Sequence, residues 1–333
     1  MKTAIVVLNW NGKQLLEKFL PSIIKHSSLD NVEIYVADNA STDDSIDFIK
    51  NHYPTIKIVQ NAHNQGFAKG YNDSLQHIDA DIYALVNSDI EVTKNWLSPI
   101  LKTFKNEPKT AIVQPKILDF KNKDYFEYAG AAGGFIDKFG YPYCRGRVFF
   151  ELEKDTKQYN DIIEIFWATG ACFFIRSSVF RELNGFDEDY FAHQEEIDLC
   201  WRVKNLGNNI KYVGLSTVYH VGGATLKENN PRKTFLNFRN SLFSMIKNLP
   251  NRNLFLLIFS RLVLDGIAGI LFLFEFRTKH TWAIVKAHFS FYRHLPLMLK
   301  KRKLIPKNKN YYSVRSVVWN YYIKGNKNFK KLK

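Results

Sequence analysis

Residues 82–89 read IYALVNSD, an apolar run that ends in three polar residues. The apolar part, residues 82–86, is short and has turn-forming residues directly behind it, which predicts a buried β-strand. Asn87 and Asp89 stand two positions apart at the end of that strand. Side chains with this spacing point the same way, so their oxygen atoms can bind one hard cation such as Mg²⁺ or Mn²⁺. A simple strand-to-turn cap is the alternative for this pair.

The segments before this strand alternate between two patterns. Short apolar, β-branched runs typical of buried strands occupy residues 3–8, 32–37 and 56–60. Apolar residues at helical spacing occupy residues 13–26, 43–51 and 67–77. This alternation predicts an α/β domain with a largely parallel sheet, in which ligands bind at the carboxyl ends of the strands.

The segments after it continue as a mixture. Residues 111–117 are predicted as a strand, and residues 163–175 as a strand with a break at Gly170. The glycine-rich stretch AGAAGGFIDKFG lies between them, at residues 129–140. Residues 197–205 show a helical pattern that stops before Gly207.

Polar residues also follow the first two predicted strands. The first strand ends in VVLNWNG, with Asn9 and Asn11, and the second ends in VADNASTDDS, with Asp38 and Asn39. A carboxylate at such a strand end can accept a hydrogen bond from a nucleobase imide or a ribose hydroxyl. Taken alone, Asp38 could equally be a turn or helix-capping residue.

The turn NAHNQGFAKGYN, residues 61–72, follows the third predicted strand. Gly66 and Gly70 would allow a ligand to approach the backbone, and Lys69 could contact a phosphate group. A glycine-containing turn before a helix is weak evidence when it stands alone.

Two later stretches carry further candidates for chemistry. GFDEDYFAHQEEIDLCWR, residues 185–202, concentrates carboxylates around apolar residues, and VYHVGGAT places His220 before two glycines. Glu195 or Glu196 could be a general base, because neighbouring carboxylates raise each other's pKa, or both could be helix N-terminal caps. Asp198 and Arg202 are spaced to pair on one helix face. A lone histidine is more often structural than a ligand.

Composition and charge place the chain among ordered globular proteins. Of its 333 residues, 46% are hydrophobic and 24% are charged. From Pro231 onward there are 22 Lys and Arg against Asp265 and Glu275. Such a basic C-terminal part points to a polyanionic surface. Three cysteines without metal-type spacing indicate free thiols in a reducing compartment, and the first apolar run is too short for a secretory signal.

The C-terminal part combines apolar helical runs with basic clusters. Residues 254–276 are rich in Leu, Ile and Phe, but their longest charge-free piece, residues 266–274, is shorter than a bilayer span of about 20 residues. The cluster KKRK follows at residues 300–303. This combination predicts an interfacial, monotopic anchor on an anionic membrane surface. A helical subdomain packed on the rest of the chain is the alternative, and an apolar helix pair could also serve a homodimer.

In this order the six strand-end and loop pieces resemble the inverting family 2 glycosyltransferases of the GT-A fold, over roughly residues 1–240. Bacterial rhamnosyltransferase-like enzymes of surface polysaccharide synthesis are the most similar in kind. The resemblance implies a GT-A domain at residues 1–245, a mixed and mostly parallel sheet with helices on both faces. Residues 246–333 would form the basic, apolar helical region for membrane association.

The resemblance also implies roles for individual residues. Glu196 would be the catalytic base with Glu195 beside it, while Asp89 and His220 would bind Mg²⁺ or Mn²⁺. The nucleotide-sugar-binding residues would be Asn9, Asn11, Asp38, Asn39, Gly66, Phe67, Lys69, Asn72, Asn87, Asp198 and Arg202. Two departures stand out: Asn87 replaces the first Asp of the family's DXD motif, and Glu196 replaces the usual Asp base. Glu195 therefore stays open as an alternative base.

The implied activity is transfer of a sugar, with inversion, from dTDP-rhamnose or a UDP-sugar to a glycan or a polyprenyl-diphosphate-linked acceptor. The enzyme would work in cell-envelope synthesis, at the cytoplasmic face of the inner membrane, with no nucleic acid as a partner. Three alternatives remain at this stage. They are a nucleotidyltransferase, a nucleic-acid-binding protein favoured by the basic tail, and a degenerate transferase fold that only binds a membrane or a partner.

Overall fold

The structure, a computed structural model, describes residues 1–222, 230–304 and 306–332. The β-strands are β1 Thr3–Asn9, β2 Val32–Asp38, β3 Lys57–Gln60, β4 Ile82–Asn87, β5 Ile90–Val92, β6 Thr110–Asp119, β7 Gly134–Ile136, β8 Pro142–Cys144, β9 Arg147–Val148, β10 Glu151–Leu152, β11 Ile162–Glu164, β12 Cys172–Arg176 and β13 Asn209–His220. The α-helices are α1 Lys13–His26, α2 Ser45–His52, α3 Gly66–Leu75, α4 Leu97–Asn106, α5 Ser177–Glu182, α6 Glu195–Asn205, α7 Pro231–Asn248, α8 Leu254–Phe274 and α9 Thr278–Arg302.

The main sheet is mixed and has the order β11-β13-β6-β12-β4-β1-β2-β3, with β5 paired to β13. Strands β3, β2, β1 and β4 run parallel, as the alternation of strand and helix predicts. Strand β12 is antiparallel to both β4 and β6, whereas β13 is parallel to β6. The α/β prediction is therefore confirmed, with the antiparallel strand β12 inserted beside its parallel half.

Helices cover both faces of this sheet, because successive strand residues point to opposite sides. Ile5 and Val7 of β1 lie in a core cluster with α1, α2 and α4, whereas Ala4 and Val6 lie in a second cluster with α3, α6 and α7. Burial on both faces explains why β1 reads as a continuous apolar run.

The predicted strand at residues 163–175 is interrupted, and the interruption spans residues 165–171, which include the predicted break at Gly170. It forms two strands at different places, β11 at the sheet edge beside β13 and β12 between β6 and β4. Between them Trp167 packs directly on Gly134, and Gly170 lies against the ring of Phe67. These contacts with other elements draw the chain out of the sheet.

The C-terminal helices continue the core of the main domain. Helix α7 begins with an Asn230 side-chain cap and Pro231 in its first turn, and it crosses the predicted boundary at residue 245. Leu257 of α8 and Phe291 of α9 belong to the same core cluster as the sheet. After α9 the described chain beyond residue 305 is mostly irregular, with short helical segments at Trp319–Ile323 and Phe329–Lys331. It packs Val317 and Phe329 on the small sheet of β7 to β10.

The basic cluster at residues 300–303 is only partly a surface feature. Lys301 forms ion pairs with Asp187 at 2.5 Å and Asp189 at 2.7 Å. Arg302 is buried and donates to the carbonyl oxygen of Ile246. Only Lys300 and Lys303 are exposed. Lys301 and Arg302 thus hold α9 to the domain, and Lys300 and Lys303 are the members of this cluster that face solvent.

Candidate functional site

The polar residues that end β1, β2 and β4 meet at one edge of the parallel sheet. In the strand register Asn9 is paired with Asp38, and Leu8 is paired with Asn87. The carboxyl ends of three adjacent parallel strands thus place Asn9, Asp38 and Asn87 side by side. This is the position at which open α/β sheets bind ligands.

Asp38 is buried and held by its neighbours. Its Oδ1 accepts from Asn9 Nδ2 at 3.0 Å and from the Ser41 hydroxyl at 2.6 Å, and its Oδ2 accepts from the Ser41 backbone N–H at 3.0 Å. Asn11, which is exposed, accepts from the backbone N–H of Thr42 at 2.7 Å. The first two strand ends are therefore joined into one polar wall.

Asn39 and Gly66 organise the next part of the same edge. Asn39 Nδ2 donates to Asn64 Oδ1 at 2.9 Å and to the carbonyl oxygen of Gly66 at 3.1 Å. Gly66 has a φ of 88°, and a Cβ atom there would lie 2.6 Å from the carbonyl oxygen of Phe191. Phe67 donates its backbone N–H to that same oxygen at 3.2 Å. The missing side chain of Gly66 thus lets the loop before α6 pack closely here. From the sequence alone, the same feature is predicted to let a ligand approach the backbone.

Lys69 and Asn72 are also engaged with the segment before α6. Lys69 pairs with Asp73 at 2.8 Å and with Glu188 at 3.6 Å. Asn72 Nδ2 donates to the carbonyl oxygen of Phe186, and Asn72 Oδ1 accepts from the Phe186 backbone N–H, both at 2.9 Å. A phosphate contact for Lys69 requires the lysine to exchange these carboxylates for a ligand.

Asp89, His220 and Glu127 form a buried chain of side chains. His220 Nε2 lies 3.2 Å from Asp89 Oδ1, and His220 Nδ1 lies 3.2 Å from Glu127 Oε1. Glu127 is fixed because its Oε2 accepts from the backbone N–H of Ala129 at 2.6 Å. Burial opposes the charged imidazole, but Glu127 and Asp89 raise the pKa of His220 to about 10.

The Asp89 and His220 donors fit one divalent cation. Two ligands about 2.1 Å from a metal in adjacent octahedral positions lie about 3.0 Å apart, close to the observed separation. A histidine ligand usually has a carboxylate at its second ring nitrogen, as Glu127 provides here. Within the described ranges no group of three or more His, Cys, Asp or Glu side chains could hold a metal alone. Substrate oxygens would therefore complete the coordination.

Glu195 and Glu196 open α6 with oxygens that lack partners. The Oε2 atoms of both residues are shielded from solvent and accept no hydrogen bond. Burial raises the pKa of Glu196 to about 7, and burial together with Glu196 raises the pKa of Glu195 well above its usual range. A carboxylate that has a pKa near neutrality and one oxygen without a hydrogen-bond partner is suited to accept a proton.

Asp198 and Arg202 do not join this site. Asp198 is fully buried and accepts from Arg202 Nε at 2.8 Å and from Asn248 Nδ2 at 2.8 Å, and it also pairs with Lys247. Arg202 donates to the carbonyl oxygens of Leu183 and Gly185. Their polar atoms are occupied in a structural network between α6 and α7, and their role in nucleotide-sugar binding stays a prediction.

Two residues near the site, Glu127 and Asn240, are not predicted from the sequence. Glu127 precedes the glycine-rich stretch and carries no local signal beyond being an acidic residue beside it. Asn240 in α7 donates to backbone carbonyls of the loop before α6. In the sequence it is one polar residue in a helix, and only the fold brings it to the loop.

Residues 4–183 match the family described as Glycosyl transferase family 2. The chain is 26% identical over 212 residues to the pre-mycofactocin glycosyltransferase of Mycobacterium tuberculosis, covering 63% of this chain but only 42% of that protein. It is 24% identical over 234 residues to the N-acetylglucosaminyl-diphospho-decaprenol L-rhamnosyltransferase of the same organism, covering 65% of this chain and 75% of that protein.

The fold is also shared with solved structures. The mannosyltransferase PcManGT from Pyrobaculum calidifontis, solved in complex with GDP-Man and Mn²⁺, has a TM-score of 0.55 with 14% identity. The likeness covers 87% of each chain.

Proposed function

The chain belongs to glycosyl transferase family 2, and from that premise we propose that it is a glycosyltransferase that transfers a sugar with inversion from a nucleotide-diphosphate donor. The observation that carries this proposal is the Oε2 atom of Glu196 at the start of α6, which is shielded from solvent and accepts no hydrogen bond. A general base is the one protein group that a single in-line displacement at the anomeric carbon requires for the acceptor.

The proposed reaction uses two pairs of residues, Glu195 with Glu196 and Asp89 with His220. The acceptor hydroxyl gives its proton to Glu196 as its oxygen forms a bond to the anomeric carbon. The bond from that carbon to the diphosphate oxygen breaks on the opposite side, and the electron pair leaves with the nucleoside diphosphate. Asp89 and His220 would hold Mg²⁺ or Mn²⁺, which when bound neutralises charge on the diphosphate. Glu195 would lie beside the base, or would be the base itself.

The donor would lie along the strand ends. Asn9, Asn11, Asp38 and Asn39 would bind the nucleoside, with Gly66 and Phe67 lining the turn beside it. Lys69, Asn72 and Asn87 complete the proposed donor site. The donor would be dTDP-rhamnose or a UDP-sugar, since a rhamnosyltransferase is among the relatives and nucleotide sugars are bound by structures of the same fold.

The acceptor would be a glycan or a polyprenyl-diphosphate-linked sugar at the cytoplasmic face of the inner membrane, in cell-envelope synthesis. The support is an exposed apolar face on α8, which is long and apolar enough to cross a membrane by length and composition. The exposed residues of this face are Phe255, Leu256, Phe259, Val263, Ile267, Ile270, Leu271, Leu273 and Phe274. The decaprenol-linked substrate in the name of one relative supports a lipid-linked acceptor.

The opposite side of α8 argues for a monotopic helix in the plane of the interface. Arg261 and Asp265 on that side form a buried ion pair at 2.7 Å. Arg261 donates to the carbonyl oxygen of Gly140 at 3.1 Å, and Tyr141 donates to Asp265 at 3.1 Å. Removing this pair from its protein partners into a bilayer core is costly. The proposed arrangement therefore keeps one side of α8 on the protein and the other side in lipid.

Helix α9 adds a mixed aromatic and basic stripe to the same unit. Its exposed residues at helical spacing are Trp282, Lys286, Phe289, Arg293, Leu297 and Lys300. Aromatic side chains at headgroup depth and cations near anionic lipid are both favourable. We define the docking face as this stripe together with the exposed face of α8, and assign it to an anionic lipid surface.

Calorimetric titration with UDP, dTDP and GDP, with and without Mn²⁺, tests the donor site. Metal-dependent binding of one nucleotide, lost in Asp89→Ala, would support the proposal and name the nucleotide. Product analysis with the matching sugar donor then tests inversion, because the anomeric configuration of the product is read directly by NMR. Retention of configuration, or no binding of any nucleotide with metal present, would contradict it.

A further inference from the structure

The loop that leads into α6 has an unfavourable backbone conformation. Phe191, His193 and Gln194 have φ values of 64°, 67° and 72°, so three of four consecutive residues occupy the left-handed region without being glycine. Such conformations persist only where surrounding contacts impose them. Glu195 and Glu196 follow directly, so this loop sets where the proposed base stands.

Asn240 of α7 supplies those contacts. Its side chain is fully buried, and its Nδ2 lies within hydrogen-bond distance of three carbonyl oxygens of the loop region. These belong to Tyr190 at 3.1 Å, Ala192 at 3.0 Å and His193 at 2.7 Å. The Asn240 amide therefore contacts backbone carbonyls on both sides of Phe191.

Arg239 fixes which way that amide faces. Its Nε donates to Asn240 Oδ1 at 2.8 Å, so the amide oxygen points to the guanidinium and the NH₂ group points to the loop. The same guanidinium donates to the carbonyl oxygens of Asp189 and Tyr190, both at 3.1 Å. Two adjacent residues of α7 thus bind four of the five backbone carbonyls from Asp189 to His193, and the fifth, of Phe191, accepts from the Phe67 N–H.

The beginning of the segment is held by charge. Asp187 lies between Lys247 of α7 and Lys301 of α9, each at 2.5 Å. Burial opposes ionisation, but the two lysines hold the pKa of Asp187 below its usual range. The segment from Asp187 to His193 is therefore anchored at both ends by the C-terminal helices.

We propose that Asn240 is a positioning residue for the transfer reaction: its amide imposes the left-handed loop and thereby places the Glu195 and Glu196 carboxylates, whose Oε2 atoms accept no hydrogen bond. This inference rests on the proposed function, in which one of those carboxylates is the base. It makes the C-terminal helices part of the active-site scaffold as well as a docking face.

The test compares Asn240→Leu with Asn248→Leu in the full-length protein. Asn248 is an equally buried asparagine on the same helix, but it donates to Asp198 within α6 and makes no bond to the loop. For Asn240→Leu we expect kcat about 100-fold lower, because displacement of a base by about 1 Å costs that much. The KM for the donor should stay within about threefold, since the strand ends are untouched. Asn248→Leu should lower thermal stability with much less effect on kcat.

Hydrogen exchange gives a readout that does not depend on activity. Amides between residues 190 and 197 should exchange faster in Asn240→Leu than in Asn248→Leu, measured where both are folded. Arg239→Met, at a half-buried position, offers a milder second variant in which the amide orientation is released, with kcat expected about tenfold lower.

The outcomes separate the inference from the proposed function. Equal kcat in Asn240→Leu and Asn248→Leu, or full activity in Arg239→Met, would overturn the positioning role. If neither Glu195→Gln nor Glu196→Gln lowers kcat, the base assignment itself fails, whatever Asn240 does. A large loss in one of these Gln variants, with none in Asn240→Leu, would leave the proposed function standing and remove only this inference.

Discussion

His220 Nδ1 lies 3.2 Å from Glu127 Oε1, which joins the end of β13 to the segment after β6. The opposite ring nitrogen faces Asp89 at the same distance. A carboxylate in this position fixes the tautomer and orientation of an imidazole that binds a metal. Glu127 would thus extend the candidate metal site by one residue beyond Asp89 and His220, which would touch the ion.

The first prediction concerns Glu127→Gln, which keeps the size of the side chain and removes its charge. We expect the affinity for Mn²⁺ in the presence of nucleotide to fall about 10- to 100-fold. Calorimetry or Mn²⁺ electron paramagnetic resonance measures this without turnover. Glu91→Gln is the matched control, because Glu91 lies in β5 beside β13 but pairs with Lys123. Equal affinity in wild type and Glu127→Gln would show that Glu127 does not orient the ligand.

The second prediction is the pH dependence of turnover. Because burial raises the pKa of Glu196 to about 7, the base is protonated in acid and kcat should rise with pH through about 7. Glu196→Gln should lower kcat about 10²- to 10⁴-fold and remove this acidic limb. A pH–rate profile under donor saturation measures both. If the limb survives in Glu196→Gln and disappears in Glu195→Gln, the base is Glu195.

The third prediction is the pH dependence of stability, which needs no substrate. The ordinary pKa of a Glu side chain is 4.5, and that of folded Glu196 is about 7. Protonated Glu196 favours the folded state, and its full contribution to the free energy of unfolding is present below pH 4.5. This contribution is lost as the pH rises through about 7, because folding must then bury an ionised carboxylate. Glu196→Gln should therefore gain Tm over wild type at pH 8 more than at pH 4. A Tm difference that does not change with pH would mean that folded Glu196 ionises normally.

The sequence predicts the parallel half of the sheet and its ligand edge well, for a physical reason. Strands β1, β2 and β4 are buried and end abruptly in polar residues. Each apolar run and the polar residue that ends it are adjacent in the sequence, so the strands and the ligand-binding edge of the sheet can both be predicted from it. The partners across the site are not local. Glu127 reaches His220, and Asn240 reaches His193, only through the tertiary arrangement. Asp198 shows the converse, since one carboxylate in an acidic stretch reads the same whether it is buried or facing a ligand.

The fourth prediction concerns the docking face. Changing Lys286, Arg293 and Lys300 together to Gln should weaken binding to vesicles containing anionic lipid about 100-fold, since each cation contributes about 1 kcal/mol. Flotation at low and high salt measures it. Changing the exposed Lys25, Lys50 and Lys102 in the same way is the charge-matched control. Unchanged lipid binding together with a dimer that dissociates when Phe255 and Phe259 become Ser would instead assign the apolar face to a second copy of the chain.

The last prediction distinguishes two roles for Gly66. If its lack of a side chain serves mainly the approach of the Phe191 loop, Gly66→Ala should lower stability in the absence of any ligand, because a Cβ would lie 2.6 Å from the Phe191 carbonyl oxygen. Gly207→Ala is the control: its φ of 83° imposes the same backbone strain, but no atom lies within 4 Å of the added carbon.

Thermal unfolding of the two variants isolates the steric part of this cost. Both should lose about 1 kcal/mol or more from the left-handed conformation alone, and Gly66→Ala should lose more, on the order of 1–3 kcal/mol further, because the loop must move. Movement of the loop shifts Glu195 and Glu196, so kcat should fall in Gly66→Ala and stay near wild type in Gly207→Ala. Equal Tm in the two variants, with nucleotide affinity lost only in Gly66→Ala, would return this glycine to the ligand-binding role that the sequence alone suggests.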